Sequence, residues 1–142
     1  MATVYDVAAY IFSKKKPLTA VKLQKLVYYT QAWSLVWDEQ PLFPERIEAW
    51  VNGPVVPKLY ELHQGQFQLE SLAEGNRDRL TETQRETIDE VLNFYGDKSS
   101  KWLSKLTHME TPWIEARLGL APGERGDREI LLATMAEYYE SL

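Results

Sequence analysis

The chain contains no cysteine, only two histidines and no long hydrophobic run. Without cysteine it can form no disulfide framework, thiol nucleophile or thiolate zinc site. The absence of disulfides fits a protein of the reducing cytoplasm. The most apolar later segment, residues 26–37, is interrupted by Thr30, Gln31 and Ser34. The apolar run at residues 7–12 is short and is followed, not preceded, by lysines. We therefore expect a cytoplasmic protein with neither a membrane span nor a secretory signal.

Familiar catalytic and cofactor signatures are also missing. The sequence has no P-loop, no dinucleotide fingerprint and no Gly-x-Ser-x-Gly, and its seven glycines are scattered. His108 and Glu110 lie two positions apart, whereas zinc sites on helices favour an i, i+4 spacing. The sequence thus favours a protein that is not an enzyme and has no metal or cofactor. A hydrolase that uses His108 and Glu110 is the last-ranked alternative.

The composition that is present indicates one globular domain over residues 1–142. Hydrophobic residues make up 44% and charged residues 26% of the chain, as in ordinary folded proteins. Five tryptophans and eight tyrosines are a rich aromatic supply for 142 residues. The core or an interface must therefore be aromatic.

A central helix is the clearest structural prediction. Thr19 is placed to cap it, with Leu18 and Leu23 as a hydrophobic staple, and it runs to about Trp37. Apolar residues occupy two of its sides, which is typical of a helix packed on both. Gln24 and Gln31 share one face, and buried amides there must bond to a neighbouring loop.

Other helices follow from periodicity and caps. The first runs from about Val4 to Phe12, and later ones start at Pro57, at the Thr81–Gln84 capping box, near Asp97, at Thr111 and at Asp127. The last carries Leu131, Met135, Tyr138 and Leu142 in register, and helical phase places Trp33, Trp37 and Trp102 inside. Residues 45–52 and 66–72 could pair as a small ribbon. We predict a mainly α, compact bundle of about six to seven helices around a central apolar helix, with this two-stranded β-ribbon.

The N-terminal segment is basic although the protein carries a net charge of −5. Residues 1–30 hold five lysines against Asp6 alone. The start of the central helix also resembles that of a helix-turn-helix unit. Its later apolar residues suit packing better than base recognition, so a DNA-binding regulator is the alternative function and DNA a less favoured partner.

Three blocks of sequence together resemble the Panacea domain of SocA-like antitoxins. The first is Leu18-Thr-x-x-Lys22-Leu23-Gln24-Lys25-Leu26-x-Tyr28-Tyr29-x-Gln31-Ala32-Trp33. The second comprises Pro41-Leu42-Phe43 and Glu48-x-Trp50-x-x-Gly53-Pro54-Val55-x-Pro57-x-Leu59-Tyr60. The third is Leu103-Ser-x-Leu106-Thr107-His108-x-Glu110-x-Pro112-Trp113-x-x-Ala116-Arg117. They occur in the family's order and cover most of the chain.

The resemblance implies an antitoxin of a bacterial or phage toxin–antitoxin system. Such a protein silences, by direct binding, a toxin protein encoded nearby. One branch of the family acts instead as an adaptor that delivers its toxin to an ATP-dependent protease, and that alternative stays open. The resemblance also implies a structural signature, which here comprises Lys22, Leu23, Gln24, Lys25, Tyr28, Gln31, Trp33, Glu48, Gly53, Pro57, Tyr60, Thr107, His108, Glu110, Pro112 and Trp113.

The segment Glu-Ala-Trp-Val-Asn-Gly-Pro-Val-Val-Pro-Lys-Leu-Tyr, residues 48–60, is unusually apolar for a turn. Aromatic anchors supply much of the binding energy at interfaces. Our candidates for a partner-binding patch are therefore Tyr29, Trp50, Pro54, Val55 and Val56. Core packing is an equally good interpretation of each. The Pro-x-x-Pro spacing within the segment is better explained by structure than by recognition of an SH3 domain.

Overall fold

A computed structural model of the protein describes all of residues 1–142. Seven helices form most of it: α1 (Val4–Lys14), α2 (Ala20–Trp37), α3 (Pro57–His63), α4 (Glu82–Tyr95), α5 (Ser100–His108), α6 (Thr111–Ala116) and α7 (Leu132–Glu140). Four short strands accompany them: β1 (Leu18–Thr19), β2 (Glu48–Trp50), β3 (Gly53–Val55) and β4 (Gln68–Leu69). The mainly α prediction is confirmed. None of the helices is both long and apolar enough to cross a lipid bilayer.

Helix α2 is the centre of the fold, as predicted. The hydroxyl of Thr19 accepts a hydrogen bond from the backbone N–H of Lys22 at 3.0 Å and so caps its first turn. Every residue from 23 to 32 is buried. Helices α4 and α7 pack along it, and α1 and α5 complete its surroundings. Because α2 is covered on all sides over these turns, its side chains can bind to loops that arrive from several parts of the chain.

Two predicted helix starts are wrong. Helix α6 is capped at Glu110, not Thr111, and without a side-chain bond, because the Glu110 carboxylate is used elsewhere. Helix α7 begins at Leu132, five positions after Asp127. The intervening segment is held extended beside β2, since the N–H of Ile130 donates to the carbonyl of Ile47 at 2.8 Å. The Thr81–Gln84 capping box and Pro57 in the first turn of α3 are both confirmed.

The predicted extended segments do not pair with each other. Strand β2 folds back onto β3 as an antiparallel hairpin, with Glu48 opposite Val55 and Trp50 opposite Gly53. Strand β4 pairs instead with β1, directly before the central helix. Gly53 has a φ of +121°, a conformation that L side chains rarely adopt, and this sharp corner returns the chain onto β2. The structure therefore contains two separate two-stranded antiparallel sheets in place of the single predicted ribbon.

Several aromatic and aliphatic positions differ from the helical-phase expectation. Trp37 and Trp102 are exposed by 49% and 41%, and Trp33 is half-buried. Trp37 lies at the last turn of α2 and stacks on Trp33 with ring centroids 5.1 Å apart, so it extends past the core. In α7, Met135 and Tyr139 are buried and Tyr138 is half-buried, while Leu131 and Leu142, outside the helix ends, are exposed.

Candidate functional site

Gln24 ties the central helix to the apolar elbow formed by β3 and the start of α3. Its Oε1 accepts the N–H of Val56 at 2.9 Å, and its Nε2 donates to the carbonyl of Val56 at 3.3 Å and to Nε2 of His63 at 2.9 Å. The prediction that this buried amide bonds to a loop backbone is confirmed. His63 must accept through Nε2, so its ring is neutral, and burial correspondingly lowers its pKa.

Lys25, the next residue, is a buried cation beneath the same elbow. Its Nζ donates to the carbonyl of Pro54 at 3.1 Å, and no carboxylate lies within salt-bridge distance. Burial lowers the pKa of Lys25 to about 7. Gly53 lies directly against this side chain, because a Cβ at position 53 would come within 2.7 Å of the Lys25 Cε. The glycine therefore allows the hairpin corner to close over the lysine.

A cavity of about 770 Å³ opens above these residues. Gln24, Lys25 and His63 form a polar part of its lining, while Trp50 and Tyr60 supply an aromatic wall. The Trp50 and Tyr60 rings meet edge to face with centroids 4.9 Å apart. The remaining lining residues come from the start of α2, the hairpin, the end of α3 and the loop before α7: Ala20, Val21, Val51, Asn52, Val55, Gln64, Gly65, Gln66, Phe67, Arg125, Gly126 and Asp127. This volume is within the range of ligand pockets, and residues of the first two sequence blocks supply part of the lining.

The candidate partner-binding residues do not form one exposed patch. Tyr29 and Val56 are fully buried, and Pro54 and Val55 are also classed as buried. Tyr29, Pro54 and Val56 are therefore part of the core, because the elbow packs against α2, and partner contact by them stays a prediction. Val55 and the half-buried Trp50 do line the cavity. Of the five candidates, these two reach a space that a partner could enter.

Glu110 and three tyrosines, Tyr28, Tyr29 and Tyr139, form a second polar cluster in the core. Glu110 accepts through Oε1 from the hydroxyls of Tyr29 and Tyr139, each at 2.7 Å. Since the Tyr139 proton is used there, Tyr28 donates to the Tyr139 oxygen at 3.0 Å. Burial raises the pKa of Glu110, although the two tyrosine hydrogen bonds oppose that effect. This cluster joins α2, the α5–α6 corner and α7.

Residues of the third sequence block contact strand β2 of the hairpin. His108 stacks on Trp113 with ring centroids 4.2 Å apart, and the indole N–H of Trp113 donates to the carbonyl of Trp50 at 2.8 Å. Arg117 donates to the carbonyl of Ala49 at 3.0 Å. His108 and Glu110 thus serve different clusters and do not form the pair that the last-ranked hydrolase alternative requires. No three His, Asp or Glu side chains converge as a metal site.

The other signature residues hold these clusters in place. Lys22 lies in the capped first turn of α2, Leu23 is core, and Trp33 donates from its indole N–H to the Tyr95 hydroxyl at 3.0 Å. Gln31 accepts the N–H of Leu42 at 2.7 Å and donates to the carbonyl of Phe43 at 2.9 Å. The remaining members occupy turns and packing positions: Glu48 bonded to the Trp50 indole, Pro57 and Pro112 at helix starts, and Thr107 buried beside Gly53.

Sequence reasoning missed two residues of the cavity. Phe67 is 77% exposed at the cavity rim, and its carbonyl accepts the N–H of Ala20 at 2.9 Å, which fixes it beside the start of α2. No site role was predicted for His63. The available signal for Phe67 was a single aromatic residue within an otherwise polar segment, Gln-Gly-Gln-Phe-Gln, at residues 64–68. Gln24 and His63 are 39 positions apart in the sequence, so no local pattern indicated their contact.

The lysines of the basic N-terminal segment do not all reach solvent. Lys25 is buried, Lys15 pairs with Asp97 at 3.0 Å, and the Lys14 ammonium lies 5.4 Å from the centre of the Tyr10 ring. A recognition helix must place its surface in the major groove, whereas α2 is enclosed by its neighbours. The resemblance of this segment to a helix-turn-helix opening is local only.

These clusters define a small helical domain in which a buried lysine, a buried glutamate and a Gly-Pro elbow are built around one central helix. Comparison with protein families matches residues 23–114 to the antitoxin SocA-like, Panacea domain. The matched range covers more than half of the chain, from the first buried turn of α2 to α6. The chain belongs to the SocA-like Panacea antitoxin family, and a role in a toxin–antitoxin system follows from that membership. No curated protein and no solved structure shows significant similarity to it.

Proposed function

We propose that this protein is an antitoxin that neutralises a cognate protein toxin by binding it directly, and that it acts as a binding protein rather than an enzyme. The family match over residues 23–114 is the observation that carries the proposal. The toxin is the product of the neighbouring reading frame. Buried clusters such as Glu110 with its tyrosines supply the rigid frame on which a binding surface is held.

We place the toxin-binding surface at the mouth of the cavity. Phe67 and Val21 are exposed there, and both also border a shallower depression beside α5 that is lined by Ser100, Lys101 and Ser104. The apolar pair thus lies between two adjoining concavities. Exposed aromatic residues beside a pocket are the kind of anchor that dominates interface energetics. Residues 65–67, although outside the predicted patch, belong to the segment that matches the family.

Co-expression with the neighbouring gene product tests the proposal. The wild-type protein should restore growth to cells that express the product, and the two should co-purify. Phe67→Ala should weaken rescue, because truncation of an anchor typically costs about 2 kcal/mol or more of binding free energy. Phe94→Ala is the matched control, since Phe94 is also exposed, at 62%, but does not line the cavity.

The outcomes separate the function from the surface. A neighbouring product that is harmless alone, or toxic regardless of this protein, would contradict the antitoxin function. Equal rescue by the Phe67 and Phe94 variants would contradict the placement of the surface. Toxin half-life in the same cells distinguishes steric blocking, which leaves the toxin intact, from delivery to an ATP-dependent protease, which shortens its life.

A further inference from the structure

The cavity contains a buried lysine whose ammonium form lacks a counter-ion. The Lys25 ammonium has three N–H donors and one acceptor, the carbonyl of Pro54. Its titratable neighbours are His63 on α3 and His108 on α5, and both are bases whose pKa is lowered by burial and, secondarily, by Lys25. No carboxylate faces it from these elements. A buried, unpaired charge is costly, and an ionisable group that burial perturbs in this way inside a cleft is a candidate for a binding site.

The charged groups at the mouth of the cavity do not supply a counter-ion for Lys25. Asp127 is the acidic residue in the cavity lining, and it is exposed on the loop before α7. Arg125, two residues earlier, is also exposed and lines the same rim. The rim thus carries one basic and one acidic group, and neither is bonded to Lys25.

We propose that an acidic side chain of the toxin enters the cavity and pairs with the Lys25 ammonium, while an adjoining apolar side chain packs against Trp50 and Tyr60. This inference rests on the proposed function, because it names the part of the toxin that the surface recognises. It also assigns Lys25 a role in binding in addition to its hydrogen bond to the elbow.

The chemistry of the cavity selects a carboxylate over a phosphate. Lys25 supplies one charge, which matches one carboxylate, and no Arg fork for bidentate phosphate binding lies beside it at this depth. Gln24, the other strong donor at this depth, is already bonded to Val56 and His63. The aromatic wall and the volume of about 770 Å³ leave room for a carboxylate together with an apolar neighbour.

Pairing predicts a characteristic pH dependence. Free Lys25 has a pKa of about 7, and a carboxylate partner would raise it, so the complex takes up a proton. His63 and His108 have pKa values below the ordinary 6.5 and stay neutral above pH 7. Between pH 7.0 and 8.5 the loss of the ammonium should therefore weaken binding by about fifteen-fold.

Calorimetric titration of the purified toxin tests this with the wild type and Lys25→Met. Methionine preserves the length and the apolar stem but removes the charge and the hydrogen bond to the Pro54 carbonyl, so the melting temperature of the variant is measured as the control for folding. At pH 7.0 the variant should bind at least about thirty-fold more weakly, the effect of removing one partner of a buried charge pair. Its affinity should be the same at pH 7.0 and 8.5, in contrast to the wild type.

Equal affinity of the Lys25→Met protein and the wild type, or a wild-type affinity that does not change with pH, would overturn the proposal. If Phe67→Ala weakens binding in that case, the proposed function stands and the carboxylate contact alone is wrong. If the wild type does not bind at all, the proposed function fails.

A small-molecule probe tests the cavity without the toxin. It applies even if the wild type does not bind the toxin or if the Lys25→Met variant misfolds. Phenylacetate at millimolar concentration should shift the indole N–H resonance of Trp50 in the wild type, and benzylamine, its cationic counterpart in shape, should not. Equal shifts from both compounds, or none from phenylacetate, would contradict carboxylate recognition by the cavity.

Discussion

The hydroxyl of Tyr29 donates to the carboxylate of Glu110 at 2.7 Å across 81 positions of sequence. Tyr29 belongs to the central helix, and Glu110 stands at the corner between α5 and α6. Tyr139 from α7 donates to the same oxygen at 2.7 Å. A single carboxylate oxygen therefore holds three separate helical regions together inside the core.

Truncation of this carboxylate should be strongly destabilising. Glu110→Ala leaves two buried tyrosine hydroxyls without an acceptor and should lower the free energy of unfolding by about 2–4 kcal/mol. Glu110→Gln keeps an amide oxygen in place and should lose much less. Urea denaturation at pH 7 measures both, and equal losses would show that charge, not the acceptor, matters.

The same glutamate should make stability depend on pH. Because the folded-state pKa of Glu110 is raised from its ordinary 4.5, the native state binds its proton more tightly than the unfolded state. This contribution to stability is full below the unfolded pKa and is lost as the pH rises through the folded pKa. Stability of Glu110→Gln relative to wild type should therefore increase from pH 4.5 upwards. A constant difference between the two proteins over that range would contradict the raised pKa.

Gly53 should tolerate no side chain. In Gly53→Ala the new Cβ would lie 2.7 Å from Lys25 Cε and 2.9 Å from Thr107 Oγ1, at a φ of +121°. We expect a loss of about 2–4 kcal/mol in the free energy of unfolding, from backbone strain and from displacement of the lysine. Gly65→Ala is the control: its φ is +85° and nothing lies within 4 Å, so strain alone should cost about 1–2 kcal/mol. Equal losses on chemical denaturation would rule out the contact with Lys25.

Gln31 should be needed to hold the loop that follows α2. Gln31→Leu leaves the N–H groups of Leu42 and Phe43 and the carbonyl of Phe43 without their partner. The expected loss is about 2–4 kcal/mol, because those buried groups would be unsatisfied. Gln40→Leu changes an exposed glutamine of the same loop and should be close to neutral. Thermal and urea unfolding of the pair should reproduce this contrast, and a neutral Gln31→Leu would contradict it.

Asp6 should stabilise the fold towards neutral pH. Burial alone would raise its pKa, but the N–H groups of Thr3 and Asn76 and the Thr3 hydroxyl lower it below 3.8. Its contribution is therefore present above the unfolded pKa and is lost as the pH falls through the folded value. Asp6→Asn should be less stable than wild type at pH 7, and the difference should shrink below pH 4. A constant difference in stability between Asp6→Asn and the wild type from pH 7 to pH 3 would refute the prediction.

Local signals in the sequence predicted the helices best where capping chemistry is contained within a few residues. Thr19 before α2 and the Thr81–Gln84 box depend on contacts three positions apart, and both are present. Asp127 has the same capping chemistry, yet backbone bonds to β2 hold the chain beyond it extended. A local preference worth about 1 kcal/mol is readily overridden by such tertiary contacts.

The site was harder to predict from the sequence. A helix that is buried on all sides shows no alternation of polar and apolar residues that would distinguish core positions from site positions. Trp50 and Val55 were identified as candidates and do line the cavity, whereas Tyr29 was chosen for its aromatic ring and is core. The sequence by itself determined a capped, doubly apolar central helix and the residue types of three family blocks. Tertiary structure alone decided that Lys25 has no counter-ion, that Glu110 has two tyrosines and that Phe67 faces solvent. Each of these depends on which distant segments meet α2, and contacts between distant segments follow from packing rather than from local sequence.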